Sequence, residues 1–150
     1  MTVTLRSHQK AAVEELDSAK RLYLNHDCGT GKTITMLAHC ASVPSVTLVL
    51  APKSVMRTAW GGDAGHFPQL RVVFAHGGKR AIQDALSAGF DVAVTTFETF
   101  RVHHALFADR FDRLIVDEAS KLKNYKSATT RAVCPFAQKM SRVYLLSGTP

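Results

Sequence analysis

The sequence predicts an α/β domain of three layers, with a mainly parallel sheet between two layers of helices. Three observations lead to this prediction. Short runs of β-branched and apolar residues alternate with helix-like stretches along the 150 residues. Each run is apolar on both faces, which is typical of parallel strands that helices cover on both sides. The intervals between the runs are long enough for crossover helices.

In chain order, a helix comes first and strands then alternate with helices. The predicted strands are residues 21–25, 46–50, 71–75, 91–95, 113–116 and 142–146. The predicted helices are residues 8–19, 32–41, 54–64, 79–88, 97–108 and 128–138. The length suits one globular domain with its own core, so we expect residues 1–150 to form a single domain.

Composition excludes several classes of protein. The chain has no run of about 18 apolar residues and no secretory signal, so we expect no membrane partner and no secretion. The expected location is the cytoplasm of a bacterium or of a virus-infected cell, or the nucleus if the source is eukaryotic. Three cysteines without a C-x-x-C pair predict neither a disulfide framework nor a zinc site.

The net charge of +7 comes almost entirely from the last part of the chain. After Glu118 there is no acidic residue, whereas the part before it is nearly balanced. Such a segment can bind phosphates or can simply be a solvated face, and charge alone favours the solvated face. The basic residues after Glu118 are Lys121, Lys123, Lys126, Arg131, Lys139 and Arg142.

A glycine-containing turn links the first predicted strand to the second helix. Gly29 and Gly31 allow the backbone to approach a phosphate closely, Lys32 can reach the terminal phosphates, and Thr33 can ligate magnesium. His26 replaces the first glycine of the strict phosphate-loop pattern, so a chance glycine turn is the alternative. The predicted nucleotide-binding residues of this turn are Asp27, Cys28, Gly29, Thr30, Gly31, Lys32 and Thr33.

The fifth predicted strand delivers two adjacent carboxylates, Asp117 and Glu118, at its carboxyl end. Ligands of open α/β sheets bind at that edge. Asp117 is therefore predicted to hold magnesium, and Glu118 to polarise the water that attacks the γ-phosphate; with Lys32 they are the predicted catalytic residues. The alternative is an ordinary strand end with two acidic residues. The presence of the predicted phosphate loop favours the magnesium site over this alternative.

In this order the motifs resemble superfamily-two helicases of the Swi/Snf type, from Leu5 to Pro150. The resemblance implies the RecA-like fold of P-loop NTPases, ATP and Mg²⁺ as cofactors, and DNA, mainly duplex, as the partner. The segment LRSHQ (5–9) resembles the motif in which a glutamine, here Gln9, reads adenine. The segment LSGTP (146–150) resembles the motif that couples hydrolysis to movement, which implies that role for Ser147, Gly148 and Thr149.

Three further segments resemble parts of this family that touch the nucleic-acid backbone or extend the nucleotide motif. They are LVLAPKSV (48–55) with Trp60, VTTFETF (94–100), and DEASKLKN (117–124), whose lysine–asparagine ending marks the Swi/Snf branch. The nucleic-acid-binding residues implied by the resemblance are Pro52, Lys53, Ser54, Thr95, Thr96, Lys121 and Lys123.

Simpler roles exist for several of these residues. The segment 52–54 can be a helix cap, paired threonines are good strand formers, and a glutamine that opens a helix is ordinary. Trp60, Phe67 and Phe74 could stack on bases, but core packing is favoured. Ser120 stands where the family usually has histidine, so the link from the nucleotide to Ser147 and Thr149 is expected to be weaker or differently built. Thr30 replaces a typical leucine, and nucleotide binding is expected to survive that change.

The family hydrolyses ATP between two RecA-like lobes, and these 150 residues account for the first. We expect the second lobe, which supplies the arginine finger, to come from a partner or from chain beyond this sequence. Hydrolysis by this lobe alone is expected to be slow or undetectable. The alternatives are a non-catalytic module that binds nucleic acid or protein, and a small-molecule kinase, against which the carboxylate pair and the last motif argue.

Overall fold

The sheet has six parallel strands in the order β1-β6-β5-β2-β4-β3. The structure is a computed structural model that describes residues 4–25, 31–122, 124 and 126–147. The predicted α/β architecture with a parallel sheet is confirmed. The strands are β1 (Arg21–Asn25), β2 (Thr47–Ala51), β3 (Val72–Phe74), β4 (Val92–Thr96), β5 (Arg113–Asp117) and β6 (Arg142–Ser147).

The helices lie between the strands, close to the predicted positions. They are α1 (Ser7–Ser18), α2 (Lys32–Ser42), α3 (Lys53–Val55), α4 (Gly62–Ala64), α5 (Lys79–Ser87), α6 (Phe97–His103) and α7 (Ala128–Gln138). A π-helix, Met56–Gly61, joins α3 to α4, so the predicted helix 54–64 is one helical unit with a wider turn in its middle. The predicted helix 97–108 changes into a 3₁₀-helix at His104–Phe107, and another 3₁₀ turn, Ala119–Leu122, follows β5.

The buried side chains form two cores, one on each face of the sheet. Leu16 of α1, Met36 of α2 and Trp60 of the π-helix belong to the first core. Ile82 of α5 and Phe100 of α6 belong to the second. Successive strand residues alternate between the two cores, as period-2 side-chain geometry requires, and this explains why the strands are apolar on both faces.

A buried polar network closes the amino edge of the sheet. His39 of α2 binds Asp17 through Nδ1, at 2.6 Å from Oδ1, and its Nε2 lies 3.2 Å from Arg113 Nη1. Arg113, the first residue of β5, is fully buried and also donates to Thr47 Oγ1 at 2.7 Å. Burial lowers the pKa of His39, although the hydrogen bond to Asp17 opposes the change. A neutral His39 can donate to Asp17 and accept from Arg113 at the same time.

Among the residues that the structure describes, no helix is both long and apolar enough to cross a membrane.

Candidate nucleotide site

The carboxyl ends of the strands bring the predicted chemical groups to one edge of the sheet. Asn25 is in register with Ser147, and Asp117 with Leu146, so β1, β6 and β5 end side by side. The phosphate-loop segment follows β1, and Glu118 follows β5. On the other side of β5, β2 and β4 end in register at Ala51 and Thr96.

Of the predicted phosphate loop the structure describes Gly31, Lys32 and Thr33, and Gly31 is the first of them. It caps α2 with a φ of +76°, a left-handed conformation that glycine adopts without strain. Its carbonyl accepts from Gln9 Nε2 at 3.3 Å, and a Cβ at this position would collide with the same Gln9 atom. Gln9 is buried, and its Oε1 accepts from the Arg6 backbone N–H at 2.8 Å. Gln9, which is predicted to contact adenine, therefore links α1 to the start of α2 by a hydrogen bond.

Lys32 and Asp117 are brought together as the sequence predicts. Lys32 begins α2, and its Nζ lies 3.9 Å from Asp117 Oδ1. The Lys32 side chain is 18% exposed and the Asp117 side chain 9%, so both charged groups are largely shielded from solvent. Thr33 follows Lys32 in α2, and it is buried.

Asp117 has a second partner that sequence reasoning missed. The indole N–H of Trp60 donates to Asp117 Oδ2 at 2.9 Å, and Trp60 is fully buried. Burial raises the pKa of the Asp117 carboxyl, and Glu118 adds to the rise, whereas the Trp60 hydrogen bond and Lys32 lower it. The prediction that Trp60 and Phe67 pack in the core is confirmed, since both are buried.

Glu118 follows β5 in an unusual backbone conformation. Its φ is +73°, in the left-handed region that a residue with a side chain adopts at a cost of about 1–2 kcal/mol. Ser120 donates to Glu118 Oε1 at 2.8 Å. Strain of this kind is concentrated at functional sites.

The residues present fit a magnesium–nucleotide complex. Asp117 is a buried carboxylate whose only nearby cation among the described side chains is Lys32, and an additional cation would satisfy it. The described residues contain no cluster of three or more His, Cys, Asp or Glu that could hold a metal. Magnesium usually takes one or two carboxylates together with substrate phosphates, so one carboxylate beside a phosphate loop suits it.

Several predicted site residues lie outside the residues that the structure describes. These are Asp27, Cys28, Gly29 and Thr30 of the phosphate loop, Lys123 of the basic segment, and Gly148 and Thr149 of the last motif. Ser147 of the same motif is described; it ends β6 and is buried.

The predicted nucleic-acid residues fall into an exposed group and a buried group. Lys53 and Ser54 are exposed at the start of α3, after the partly buried Pro52, and Lys121 is exposed in the turn after β5. Thr95 and Thr96, by contrast, are buried at the end of β4.

The two threonines have structural surroundings. Thr96 Oγ1 accepts from the Thr99 N–H at 3.1 Å and donates to Thr99 Oγ1 at 2.9 Å, which makes Thr96 the N-cap of α6. Thr95 Oγ1 has no hydrogen-bond partner in the described part of the chain. In this structure neither hydroxyl faces solvent, so both would need a rearrangement to reach a phosphate.

Comparison with known protein families identifies the family. The SNF2-related domain profile matches residues 8–150. The chain belongs to the SNF2-related domain family. The predicted resemblance to Swi/Snf-type proteins is thereby confirmed, and the match covers nearly all of the segments on which it was based.

The chain spans only a small part of the curated relatives that it matches. It is 33% identical over 139 residues to the human SWI/SNF-related matrix-associated actin-dependent regulator of chromatin subfamily A member 1; the match covers 85% of the chain and 13% of that protein. It is 27% identical over 166 residues to a probable global transactivator of Orgyia pseudotsugata multicapsid polyhedrosis virus, covering 97% of the chain and 32% of the viral protein. The SNF2-related domain described here thus corresponds to a small part of these relatives.

A solved structure has the same fold. The Sulfolobus solfataricus SWI2/SNF2 ATPase core, in complex with dsDNA, superposes with a TM-score of 0.81 at 22% sequence identity. The superposition covers the whole chain and 33% of that structure. The fold is therefore that of one RecA-like lobe of such a core.

Proposed function

We propose that this SNF2-related domain is the ATP-binding lobe of a DNA-dependent ATPase that moves along duplex DNA. The observation that carries the proposal is the pairing of Lys32 with Asp117 at 3.9 Å, at the carboxyl edge of a parallel sheet and directly after a phosphate-loop segment. A lysine from the phosphate loop and a carboxylate from a neighbouring strand end are the two groups that P-loop NTPases use on nucleotide and magnesium.

Each residue of the site has a distinct task in this proposal. Lys32 neutralises the terminal phosphates, while Thr33 and Asp117 would hold magnesium, which supplies positive charge for the developing negative charge of phosphoryl transfer. Glu118 accepts a hydrogen bond from the attacking water and orients it. The Ser120 hydroxyl, at 2.8 Å from Glu118 Oε1, holds that carboxylate in place.

The proposed DNA contact lies on the same edge of the sheet. Lys53, Ser54 and Lys121 are exposed on segments that follow β2 and β5, and they can donate to backbone phosphates. The human relative is named as a regulator of chromatin, and the archaeal core was solved with dsDNA. We propose duplex DNA as the partner here too, in the nucleus of a eukaryote or the cytoplasm of a bacterium or virus-infected cell.

A second RecA-like lobe completes the proposed motor. In comparable phosphoryl-transfer sites an arginine finger accelerates the reaction by about 10³-fold or more, and in this family it comes from the other lobe. We therefore expect this chain to bind Mg·ATP and to hydrolyse it slowly or not measurably until a second lobe is supplied by longer chain or by a partner.

ATP binding is tested by calorimetry with Mg·ATP, using Lys32→Ala and a matched control, Lys79→Ala. Lys79 is exposed and follows a glycine at the start of α5, as Lys32 follows Gly31 at the start of α2. We expect Lys32→Ala to weaken binding about tenfold or more, because it removes a phosphate-binding charge, and Lys79→Ala to have no effect. Absence of Mg·ATP binding by the wild type would contradict the proposal and favour a non-catalytic binding module.

DNA binding is tested by the salt dependence of affinity for a duplex. Replacing Lys121, Lys123 and Lys126 with glutamine should weaken binding and reduce the slope of log K against log salt by about 0.9 for each phosphate that the lysines no longer neutralise. Lys79→Gln again serves as the control. An unchanged slope would remove the basic segment from the DNA contact. Measuring ATP turnover with and without the duplex completes the test.

A further inference from the structure

The single tryptophan of the chain lies directly beneath the proposed site. Trp60 has no exposed surface, and its only polar side-chain atom, Nε1, donates to Asp117 Oδ2 at 2.9 Å. A tryptophan that served packing alone would need a hydrogen-bond partner somewhere, and backbone carbonyls are the most abundant acceptors. Here the partner is the carboxylate that the proposed function assigns to magnesium.

The hydrogen bond divides the two oxygens of Asp117 between two neighbours. Oδ2 accepts from the indole, while Oδ1 lies 3.9 Å from Lys32 Nζ. Rotation of a carboxylate about its last torsion meets only a broad, shallow barrier, so a buried donor is needed to hold one orientation. With Trp60 in place, Oδ1 is the oxygen left facing the phosphate-loop lysine.

The π-helix determines the position of the indole. π-Helical turns are rare and are frequently found at functional sites. This one packs tightly, because a Cβ on Gly61 would lie 3.2 Å from Phe74 Cζ, a closer approach than most real contacts. The helical unit of α3, the π-helix and α4 begins at the exposed Lys53 and Ser54 and contains Trp60 in its interior. A displacement of the unit would therefore move the indole against Asp117.

We infer that Trp60 is a positioning residue, which holds Asp117 with Oδ1 toward the phosphates and couples that carboxylate to the helical unit starting at Lys53. The inference rests on the proposed function, since it assumes that Asp117 meets magnesium. It adds a route by which DNA bound at Lys53 and Ser54 changes the affinity of the site for magnesium.

The first test compares ATP affinity with magnesium and with EDTA in the wild type, Trp60→Phe and Tyr144→Phe. Tyr144→Phe is the matched control, because it also removes one buried aromatic donor, which bonds to the Leu16 carbonyl at 2.9 Å and the Ala19 carbonyl at 2.7 Å, away from the site. Trp60→Phe should lower the magnesium-dependent gain in affinity about tenfold, the lower range for loss of a residue that orients a metal ligand. Its affinity in EDTA should change less than about twofold.

A second variant keeps the size of the indole. Benzothienylalanine, in which sulfur replaces the ring N–H, is incorporated at the single tryptophan position, so that loss of packing cannot mimic loss of the hydrogen bond. The same magnesium-specific loss is expected. A variant that weakens ATP binding equally with magnesium and with EDTA, or one that keeps the full magnesium gain, overturns the inference. A wild type without any magnesium gain overturns the proposed function, and the inference with it.

The indole N–H gives a direct reading of the coupling, because one tryptophan produces one indole signal in a ¹⁵N–¹H spectrum. The signal should move when magnesium is added to the ATP complex, and again when duplex DNA is added. Lys53→Gln should reduce the second shift and not the first. A signal that responds to magnesium but not to DNA overturns the coupling to Lys53.

Discussion

At the scale of single residues, two adjacent carboxylates have different surroundings. Asp117 is buried and accepts from the Trp60 indole, whereas Glu118 is half-buried and accepts from Ser120. The positive φ of Glu118 turns it away from the direction that a continued strand would give it. Neighbouring groups in different environments can perform different tasks, which is what magnesium binding and water activation require.

The buried charge of Asp117 leads to a prediction about stability. Its pKa is raised mainly by burial, so ionisation costs more in the folded chain than in the unfolded one, and stability falls as pH rises above the ordinary value for aspartate. Asp117→Asn keeps an acceptor for Trp60 and removes the charge. We expect the free energy of unfolding without nucleotide to rise by about 1 kcal/mol at pH 7, measured by urea denaturation.

The control for this prediction is Asp112→Asn, which removes an exposed carboxylate shortly before Asp117 in the chain. Changes at exposed positions of this kind usually stay within about 0.5 kcal/mol. The same Asp117→Asn variant should lose the magnesium-dependent gain in ATP affinity. A less stable Asp117→Asn protein would mean that the pairing with Lys32 outweighs the cost of burial.

The sequence alone predicted those residues whose side-chain type directly indicates a chemical role. Lys32 and Asp117 were predicted from a glycine turn and an acidic strand end, and the structure places them 3.9 Å apart. Trp60 was missed as a partner of Asp117, because 57 residues separate the two and the facing of a side chain depends on the helix type. The Gln9 contact with Gly31 was missed for a similar reason, since it depends on how α1 and α2 pack.

At the scale of elements, the start of α6 depends on two adjacent threonines that look equivalent in the sequence. Thr96 caps the helix through the Thr99 N–H, while the buried hydroxyl of Thr95 has no partner in the described residues. The difference follows from position in the chain, because Thr96 directly precedes Phe97, the first residue of α6, and so occupies the N-cap position. Thr95 lies one residue earlier, within the strand.

The pair gives a matched test of the cap. Thr96→Val should lower the free energy of unfolding by about 1 kcal/mol, because it removes an N-cap acceptor, and Thr96→Ser should restore most of it. Thr95→Val should be neutral or stabilising by up to about 1 kcal/mol, because it replaces an unpaired buried hydroxyl with a methyl group. Urea denaturation of the three variants checks both signs. A larger loss for Thr95→Val than for Thr96→Val would contradict this account.

The bounds of most elements were predictable, and the helix subtypes were not. Alternation of apolar runs with helical stretches predicted β1 and α7 at the residues where they occur, and the other strands within one residue at each end. The π-helix at Met56–Gly61 escaped prediction, because over 6 residues its hydrophobic spacing hardly differs from that of an α-helix. That subtype determines where Trp60 points, so the missed detail is one with chemical consequences.

At the scale of the whole molecule, polar groups are gathered at the two edges of one sheet. The carboxyl edge carries Lys32 and Asp117, and the amino edge carries the network of Asp17, His39 and Arg113. Arg113 is fully buried, and its Nη2 has no hydrogen-bond partner in the described part of the chain. The buried guanidinium charge is therefore stabilised by the bonds of its other nitrogens, among them the one to His39. The amino-edge network therefore makes the fold sensitive to protonation.

The His39 contribution to the free energy of unfolding decreases as the pH is lowered. The pKa of His39 is lower in the folded chain than in the unfolded one, so the unfolded chain takes up the proton first as pH falls. The His39 contribution to stability is present above about pH 6.5 and is lost as pH falls from there toward the folded-state pKa. Urea denaturation between about pH 7.5 and 5 should show this decline. Each unit by which the folded-state pKa of His39 lies below its unfolded-state pKa corresponds to a loss of about 1.4 kcal/mol in the free energy of unfolding.

Two variants isolate the effect. His39→Gln should be less stable at about pH 7.5, since it disturbs the bonds to Asp17 and Arg113, but its stability should change less as the pH is lowered over the same range. His104→Gln, which replaces an exposed histidine, should keep the wild-type profile. An equally steep decline in His39→Gln would assign the pH dependence to other groups.

The strand order also determines when the nucleotide site can form. Among the strands that the structure describes, β1, which precedes the predicted phosphate loop, pairs with β6 alone, from Arg21 opposite Val143 to Asn25 opposite Ser147. The strand that precedes the predicted ATP-binding loop is thus held by a strand far along the chain, and closing so long a loop costs entropy before the pairing can form. During synthesis on the ribosome, β1 would lack its partner strand until β6 has emerged, so we expect the proposed nucleotide site to form only after β6 has paired with β1.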